Sequence, residues 1–468
     1  MKTSCNDVHS KLNPTTVSEV ISPRSEADVI AAVMCAKEHG KAISICGGRH
    51  AMGGQQFGED TMLLDMRELN SIAKVDRTRG TVEAGAGIQW PALIGGLHEQ
   101  QENEGTVWTI RQKQTGADQL TLGGALAANI HGRGLHMKPF IGDVESFRII
   151  DAEGIAHHCS RSENSELFSL VIGGYGCFGI VTSVILRLIP RIRLRRIVEV
   201  TTLDLMPDKI RERIAKGCLY GDFQFSIDEN SPDFLWKGVL SSYRPVEGNP
   251  DIPESQESLG AARWEKLVHM AHHDRSAIFG VYSGYYLSTH GNLYWSDSHQ
   301  LSIYIDGYHG KLDPEGCPAS EMITELYVPH VDLIPFMEQA AALLRANSIP
   351  VIYGTMRLIR EDAESFLPWA TSDCACVIFN LHTEHSESGI AKASEAFRAL
   401  IDLAVSYQGS YFLTYHRWAT REQIEAAYPR FEEFLRMKMR YDPEQRFQSE
   451  WWRHYREMFG ITAKGTVV

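Results

Sequence analysis

The sequence predicts an α+β chain with more than one domain, and three observations carry that reading. Its 468 residues exceed the roughly 100–200 of a single domain. Strand-like and helix-like patterns are mixed along the chain, with no internal repeat. One literal Gly-x-Gly-x-x-Gly, Gly174 to Gly179, runs into the β-branched stretch IVTSVILRLIP. A dinucleotide-binding Rossmann unit needs a helix at that point, so a doubly wound parallel fold is not expected.

The elements follow in order. A short strand over 17–22 ends at Pro23. Ser25 reads as the N-cap of a helix with Asp28 in its first turn. Val29, Ile30, Val33 and Ala36 fall at helical spacing, and Gly40 closes it. AISIC (42–46) is a buried strand that runs straight into the glycine-rich GGRHAMGG (47–54). Strands follow at 61–66 and 81–87, and a helix at 89–100. Segment 115–134 carries few large side chains, which lets a backbone approach something flat and bulky. Two strands over 144–159 turn at Glu153-Gly154, and 179–200 is strand with a break at Pro190.

Aromatic content rises beyond residue 200. A polar loop is expected over 247–262. Tyr282, Tyr285, Tyr286, Tyr294, Trp295, Tyr304 and Tyr308 crowd 281–309, a segment placed to line or cap a pocket between domains. Helices are expected at 333–346 and 388–407, strands at 354–360 and 374–382, and a helix from 420 interrupted near Pro429.

Composition excludes several function classes. Hydrophobic residues make 43% and charged residues 22%, which is globular rather than disordered. Forty-six Lys and Arg against 59 Asp and Glu give −13, a poor match for nucleic acid or an anionic membrane. No stretch reaches the ~18 apolar residues of a membrane span. The first residues lack an apolar signal region, so a cytoplasmic location is expected. Nine cysteines without a Cys-x-x-Cys support neither a disulfide framework nor structural zinc.

Each motif has a plain reading beside the chemical one. His50 either bonds covalently to an electrophilic ring carbon or only hydrogen-bonds its loop. His131, in Asn129-Ile-His131-Gly132, either lines a polar pocket or stabilises a buried turn. His157 and His158 face opposite ways on a strand. His269, His272 and His273 have helical spacing but no evident carboxylate partner, so no metal site is expected. The basic run from Arg187 to Arg196 reads as a solvated face. No Gly-x-Ser-x-Gly is present, which removes the α/β-hydrolase reading.

Four stretches, in order, resemble the vanillyl-alcohol-oxidase/PCMH-type FAD oxidoreductases. They are VISPRSEADVIAAVMCAKEHGKAISICGGRHAMGG, TGADQLTLGGALAANIHGRG, VESFRIIDAEG and GGYGCFGIVTSVILRLIPR. The C-terminal LTYHRWATREQIEAAYPRFEEFLRMKMRYDPEQRFQSEWWRHY is similar to the alditol, aldonolactone and decaprenylphosphoryl-ribose oxidase branch.

The resemblance implies an FAD-binding PCMH-type domain over 1–196 and a substrate cap built on an antiparallel sheet with helices over 197–410. Residues 411–468 return to the FAD domain, through Asp442-Pro443 and Phe447. It implies an FAD cradle of Cys46, Gly47, Gly48, Arg49, His50, Ala51, Met52 and Gln55; of Thr115, Gly116, Asp118, Leu122, Gly123, Gly124, Ala127, Asn129, His131 and Gly132; and of Gly179, Ile180 and Val181. His50 is the expected site of a covalent flavin bond. Arg357, on a substrate-binding strand, and His416, where the branch keeps a basic residue, are the expected catalytic groups, with Tyr415 as the alternative base. The reaction expected is hydride transfer from a small-molecule alcohol to flavin N5, with oxygen or another acceptor taking the electrons.

Overall fold

The computed structural model describes residues 2–102, 104–248, 250–301 and 317–462. Tyr304 and Tyr308 therefore lie outside the described residues.

Helices and sheets are mixed, as an α+β chain requires. The first helix, Glu26–Glu38, starts where the sequence says: Ser25 accepts a hydrogen bond from the Asp28 amide, and Val29, Val33 and Ala36 are buried. It joins two edges of a small parallel sheet ordered Glu19–Ile21, Met62–Asp65, Ile43–Cys46. A second sheet is antiparallel and ordered Thr81–Gly85, Ile180–Pro190, Val144–Ile150, Ala156–Ser160. Trp108–Ile110 pairs the far end of Ile180–Pro190. The 115–134 segment contains a short helix, Leu122–Ala128, capped by Thr121 and closed by Asn129 in the left-handed region at φ 50°.

The chain changes sheet at Arg191–Ile192. An eight-stranded antiparallel sheet then runs in the order Leu293–Trp295, Arg193–Thr202, Lys237–Pro245, Tyr220–Phe225, Val351–Ile359, Cys374–Glu384, Ala319–Pro329, Ser410–Tyr411. Helices Leu333–Ala346 and Glu387–Ser406 pack on it. Helices Ala261–His273 and Arg275–Ser288 lie against Val351–Ile359 and Arg193–Thr202. The sequence left this helix pair unread. Among its described residues, the expected loop over 247–262 is irregular as far as Gly260, the N-cap of the first of the two.

The C-terminal segment closes back on the first sheet. Helix Phe431–Tyr441 ends at Asp442, whose carboxylate accepts from the Lys438 ammonium and from the Arg446 and Phe447 amides. That turn lays Phe447 alongside Ile43. The Ile43 amide donates to Arg446 O at 2.6 Å, and the Gln448 amide donates to Ile43 O at 2.8 Å. Phe447 is 1% exposed and joins the core under helix Glu26–Glu38. Among the described residues no helix is long and apolar enough to cross a membrane.

His416 departs from expectation. It is buried, stacked on Trp418 with ring centroids 5.2 Å apart and tilted against Phe397 at 4.5 Å. Its Nδ1 accepts from the Trp418 amide at 3.4 Å. Burial, then the charge of Arg398, pushes its imidazole down to about 3. A short backbone excursion, Thr414-Tyr415-His416, sends consecutive side chains to different sides, and Tyr415 takes the inner one.

Two outcomes follow from this packing. Asp442→Ala strands the fully buried Lys438 ammonium, and breaking a buried pair costs roughly 3–5 kcal/mol; chemical denaturation should show that loss. His416 stays neutral in the folded protein at pH values where the unfolded chain, with a pKa near ~6.5, binds a proton. Stability is therefore lost as pH falls from ~6.5 towards 3, at up to ~1.4 kcal/mol per pH unit for this residue. His416→Phe should flatten that acid limb in thermal-melt titrations; an unchanged limb would contradict the placement.

Candidate active site

A cavity of about 1350 Å³ runs between the two N-terminal sheets and the eight-stranded sheet. It exceeds the ~300–1,000 Å³ of most ligand pockets, which leaves room for a large cofactor and a substrate together. One end is built from glycine and other small residues. The other end is floored by charged residues of the large sheet.

The narrow end is made by two loops. Strand Ile43–Cys46 delivers Cys46, Gly47, Gly48, Arg49, His50, Ala51 and Gln55 to the cavity wall. The loop is pressed on the 119–121 backbone: a Cβ on Gly47 would meet Thr121 Oγ1 at 2.0 Å, and one on Gly48 would meet Gln119 O at 2.0 Å. Only glycine permits this approach. Arg49 adopts φ 62°, an uncommon conformation for a residue with a side chain. Its guanidinium is tied to Asp65 at 3.2 Å. Thr115, Gly116, Gly123, Gly124, Ala127, Gly179 and Val181 complete the wall.

His50 lines the cavity and is 8% exposed. Its Nδ1 lies 2.7 Å from Nε2 of His9, a residue that the sequence reading missed. Burial, then the neighbouring His9, pushes the His50 imidazole down to about 3. The ring is thus neutral at physiological pH.

Strand alternation builds the wide end. Glu321, Ile323 and Glu325 face the cavity from one strand, Tyr353, Thr355 and Arg357 from another, and Ile378, Asn380 and His382 from the strand between them. The Glu325 carboxylate is the focus. His131 Nε2 lies 2.8 Å from its Oε2, Tyr327 donates to the same oxygen at 2.9 Å, and Tyr415 donates to Oε1 at 2.7 Å. Burial alone would raise its pKa. The His131 charge and hydrogen bond, then the Tyr415 hydroxyl and Arg357, outweigh burial and hold it at about 2. Burial and the adjacent Glu325 charge push the Tyr415 phenol well above its ordinary range.

Arg357 faces the cavity at 6% exposure, and among the described residues its Nε and Nη1 have no hydrogen-bond acceptor. Thr115 Oγ1, Arg49 Nε, Gln56 Oε1 and Trp452 Nε1 are likewise buried and unmatched on this lining. Buried polar atoms in folded proteins are normally satisfied. A ligand with acceptors near both ends of the cavity, and a donor for Gln56 Oε1, fits that set.

The remaining expected residues stand behind the wall. Met52 and Leu122 are core side chains, and Ile180 joins the core beneath helix Glu26–Glu38. Asp118 pairs with the buried Lys113 at 2.6 Å. Asn129 accepts from the Ile141 amide and donates to Asp362, fixing the turn after its helix. The Gly132 amide donates to Gln112. His131 reaches Glu325 rather than the cavity. His416 is turned away, as described above.

Sequence reasoning also missed Glu325 and Arg196. Glu325 sits in ITELYV, where an isolated acid in an apolar run signals a buried, partnered charge. Arg196 leaves the solvated face expected of its basic run: it lines the cavity, stacked over Tyr286 with 4.4 Å to the ring centroid.

Comparison with known proteins adds a separate observation. The FAD binding domain family matches residues 17–160. L-gulonolactone oxidase of Bos taurus is 25% identical over 209 residues, 44% of this chain and 46% of that protein. Glucooligosaccharide oxidase of Sarocladium strictum is 30% identical over 162 residues, 34% of this chain and 31% of that one. Decaprenylphosphoryl-beta-D-ribose oxidase of Mycolicibacterium smegmatis is 26% identical over 179 residues, 38% and 37% of the two chains. The chain thus spans between about a third and just under half the length of these relatives. The matched segment is the one that forms the small parallel sheet, the glycine-rich loop and the small-residue wall. Residues 17–160 are thus similar to the FAD binding domain family, and it is these residues that supply the glycine-rich loop and most of the small-residue wall of the cavity.

Proposed function

We propose that the protein oxidises the CH–OH group of a small molecule, with FAD held along the narrow end of the cavity and the substrate on the floor of the large sheet. The observation that carries this reading is the Tyr415–Glu325–His131 chain beside the unpaired Arg357, in the same cavity as the glycine-rich cradle. On this reading residues 1–196 and 411–468 hold the cofactor and 197–410 form the cap. FAD, when bound, supplies a two-electron acceptor for hydride.

The protein's part is proton handling and orientation. Arg357, always charged, is placed to hold an oxygen of the substrate with its two free N–H groups. Tyr415 presents its hydroxyl oxygen as an acceptor to a substrate hydroxyl while its own proton points to Glu325 Oε1. The hydroxyl proton of the substrate then moves to Tyr415 as the Tyr415 proton moves to Glu325. His131, hydrogen-bonded to the other carboxylate oxygen, stabilises the pair in either state. A base within ~3 Å of the reacting hydroxyl meets the geometric requirement for such a role. The acceptor for the second half-reaction is oxygen, giving hydrogen peroxide, or another oxidant. Oxygen uptake measured against turnover on an artificial acceptor separates these.

We further propose that His50 carries the FAD covalently. A neutral imidazole is the form able to make such a bond: its nitrogen would replace one hydrogen of the flavin 8-methyl group, the two electrons released would pass to the flavin ring and from there to the acceptor of the second half-reaction, and His9, at 2.7 Å, would take up a proton.

Three measurements test this reading. Tyr415→Phe should slow anaerobic flavin reduction by ~10²–10⁴-fold, whereas His416→Phe should leave the rate within a few-fold. Equal losses in both would return the proton role to the His416 side of the loop. Acid precipitation should leave the flavin in the protein pellet, and His50→Ala should release it to the supernatant. Free flavin from the unmodified protein would remove the covalent bond while leaving the FAD site intact.

A further inference from the structure

We infer that the cap holds a second, separate site: His272, Glu321 and His382 bind one first-row divalent metal ion of the zinc, cobalt and nickel class. The three side chains come from three elements, two strands and a helix, that the fold presses together. Glu321 and His382 are directly opposed on neighbouring strands, and His272 reaches down from helix Ala261–His273. His382 Nδ1 and His272 Nε2 each lie 3.1 Å from the same oxygen, Glu321 Oε1. All three donor atoms fall within 4.8 Å of one another.

The spacing is that of ligands around an ion. Metal–nitrogen and metal–oxygen bonds of ~2.0–2.2 Å at tetrahedral to octahedral angles set donor atoms ~3–3.5 Å apart. A His–carboxylate–His hydrogen-bond cluster is the plain alternative, and one detail weighs against it. His272 Nε2 approaches Glu321 Oε1 closely but without hydrogen-bond alignment. The two imidazole planes stand at 85° with centroids 5.2 Å apart, so each ring directs its nitrogen towards the carboxylate from a different side.

The chemistry of the donor set also fits. Two imidazoles and one carboxylate favour borderline divalent ions over magnesium or calcium, which take oxygen ligands. The carboxylate is nearly buried, with 5% side-chain exposure, and His272 has 11%. All three residues line the cavity, so the coordination positions left open face it and accept water or an oxygen donor of a bound molecule. Glu321 precedes Glu325 by four residues, ~13 Å along a strand. The metal site is thus a distinct locus at the far part of the floor, and it does not depend on the flavin assignment.

The test uses the full-length, flavin-loaded protein stripped of metal by chelator and dialysed against Zn²⁺ or Co²⁺. One equivalent of Zn²⁺ should be retained by elemental analysis. Co²⁺ should give visible ligand-field bands of a low-symmetry site, read as a difference spectrum against the flavin background. His382→Ala and Glu321→Gln should each weaken binding by at least ~10²-fold, the scale on which metal sites respond to lost ligands and supports. Affinity should fall as pH is lowered, because imidazole ligands bind the ion only when neutral. The nearby pair His269 and His273, with ring centroids 4.4 Å apart, is the internal control. His269→Ala/His273→Ala should leave stoichiometry unchanged. Should Glu321→Gln lose its fold, as shown by lost flavin, His272→Asn and His382→Ala decide instead. No retained metal in the unmodified protein, or binding lost only in the His269/His273 variant, overturns the assignment and leaves a hydrogen-bonded cluster.

Discussion

The structure turns on one buried negative charge. Glu325 is 1% exposed, in surroundings where an unpaired carboxylate is untenable. It is held ionised by His131, Tyr327 and Tyr415, with Gln114 3.3 Å from Oε1. Besides Tyr327 on the same strand, these partners come from the 114–131 stretch and the C-terminal loop, so satisfying one carboxylate fixes two distant stretches of chain against the large sheet. The same requirement explains the neighbouring floor. Arg133 is buried between Asp222, the His299 carbonyl and the Tyr243 ring, and Lys113 is enclosed by Asp118 and two carbonyls.

A charged floor facing a wall of small residues divides the cavity chemically. The glycine-rich end offers close backbone approach and little steric bulk, which suits a flat, extended cofactor. The sheet end offers fixed charges in a low-dielectric setting, where they act on a developing charge more strongly than in water. The C-terminal return couples the two ends mechanically. Phe447 completes the core beneath the first helix, Trp452 and Ser449 line the cavity, and Tyr415, from the same closing segment, reaches Glu325.

How legible this was in the sequence depended on the range of the interactions. The helix at Glu26–Glu38 and the loop at 47–51 are local features, set by a serine cap, apolar spacing and paired glycines. The Phe447 return was readable from Asp442-Pro443 through family resemblance, though its partner Lys438 was not singled out. The roles of Glu325, His9 and Arg196 were not legible because they rest on distant partners: His131 lies 194 residues from Glu325, His50 lies 41 from His9, and Ser241 lies 45 from Arg196. His416 shows the opposite failure. It neighbours Tyr415 in sequence, but a loop reverses side-chain direction between consecutive residues, and position in a motif did not reveal which one faced inwards. The strands Tyr220–Phe225, Lys237–Pro245 and Ala319–Pro329 were hidden by their polar, cavity-facing positions, which break the apolar runs expected of buried strands.

The most direct test of the account is the rate of anaerobic flavin bleaching by an alcohol substrate in the unmodified protein and in Glu325→Gln. The variant preserves shape but removes the charge that receives the proton. The account predicts that Glu325→Gln retains its FAD and is reduced at least ~10²-fold more slowly, the range expected for loss of a proton acceptor. Equal rates in the two proteins, with flavin content unchanged, would contradict it.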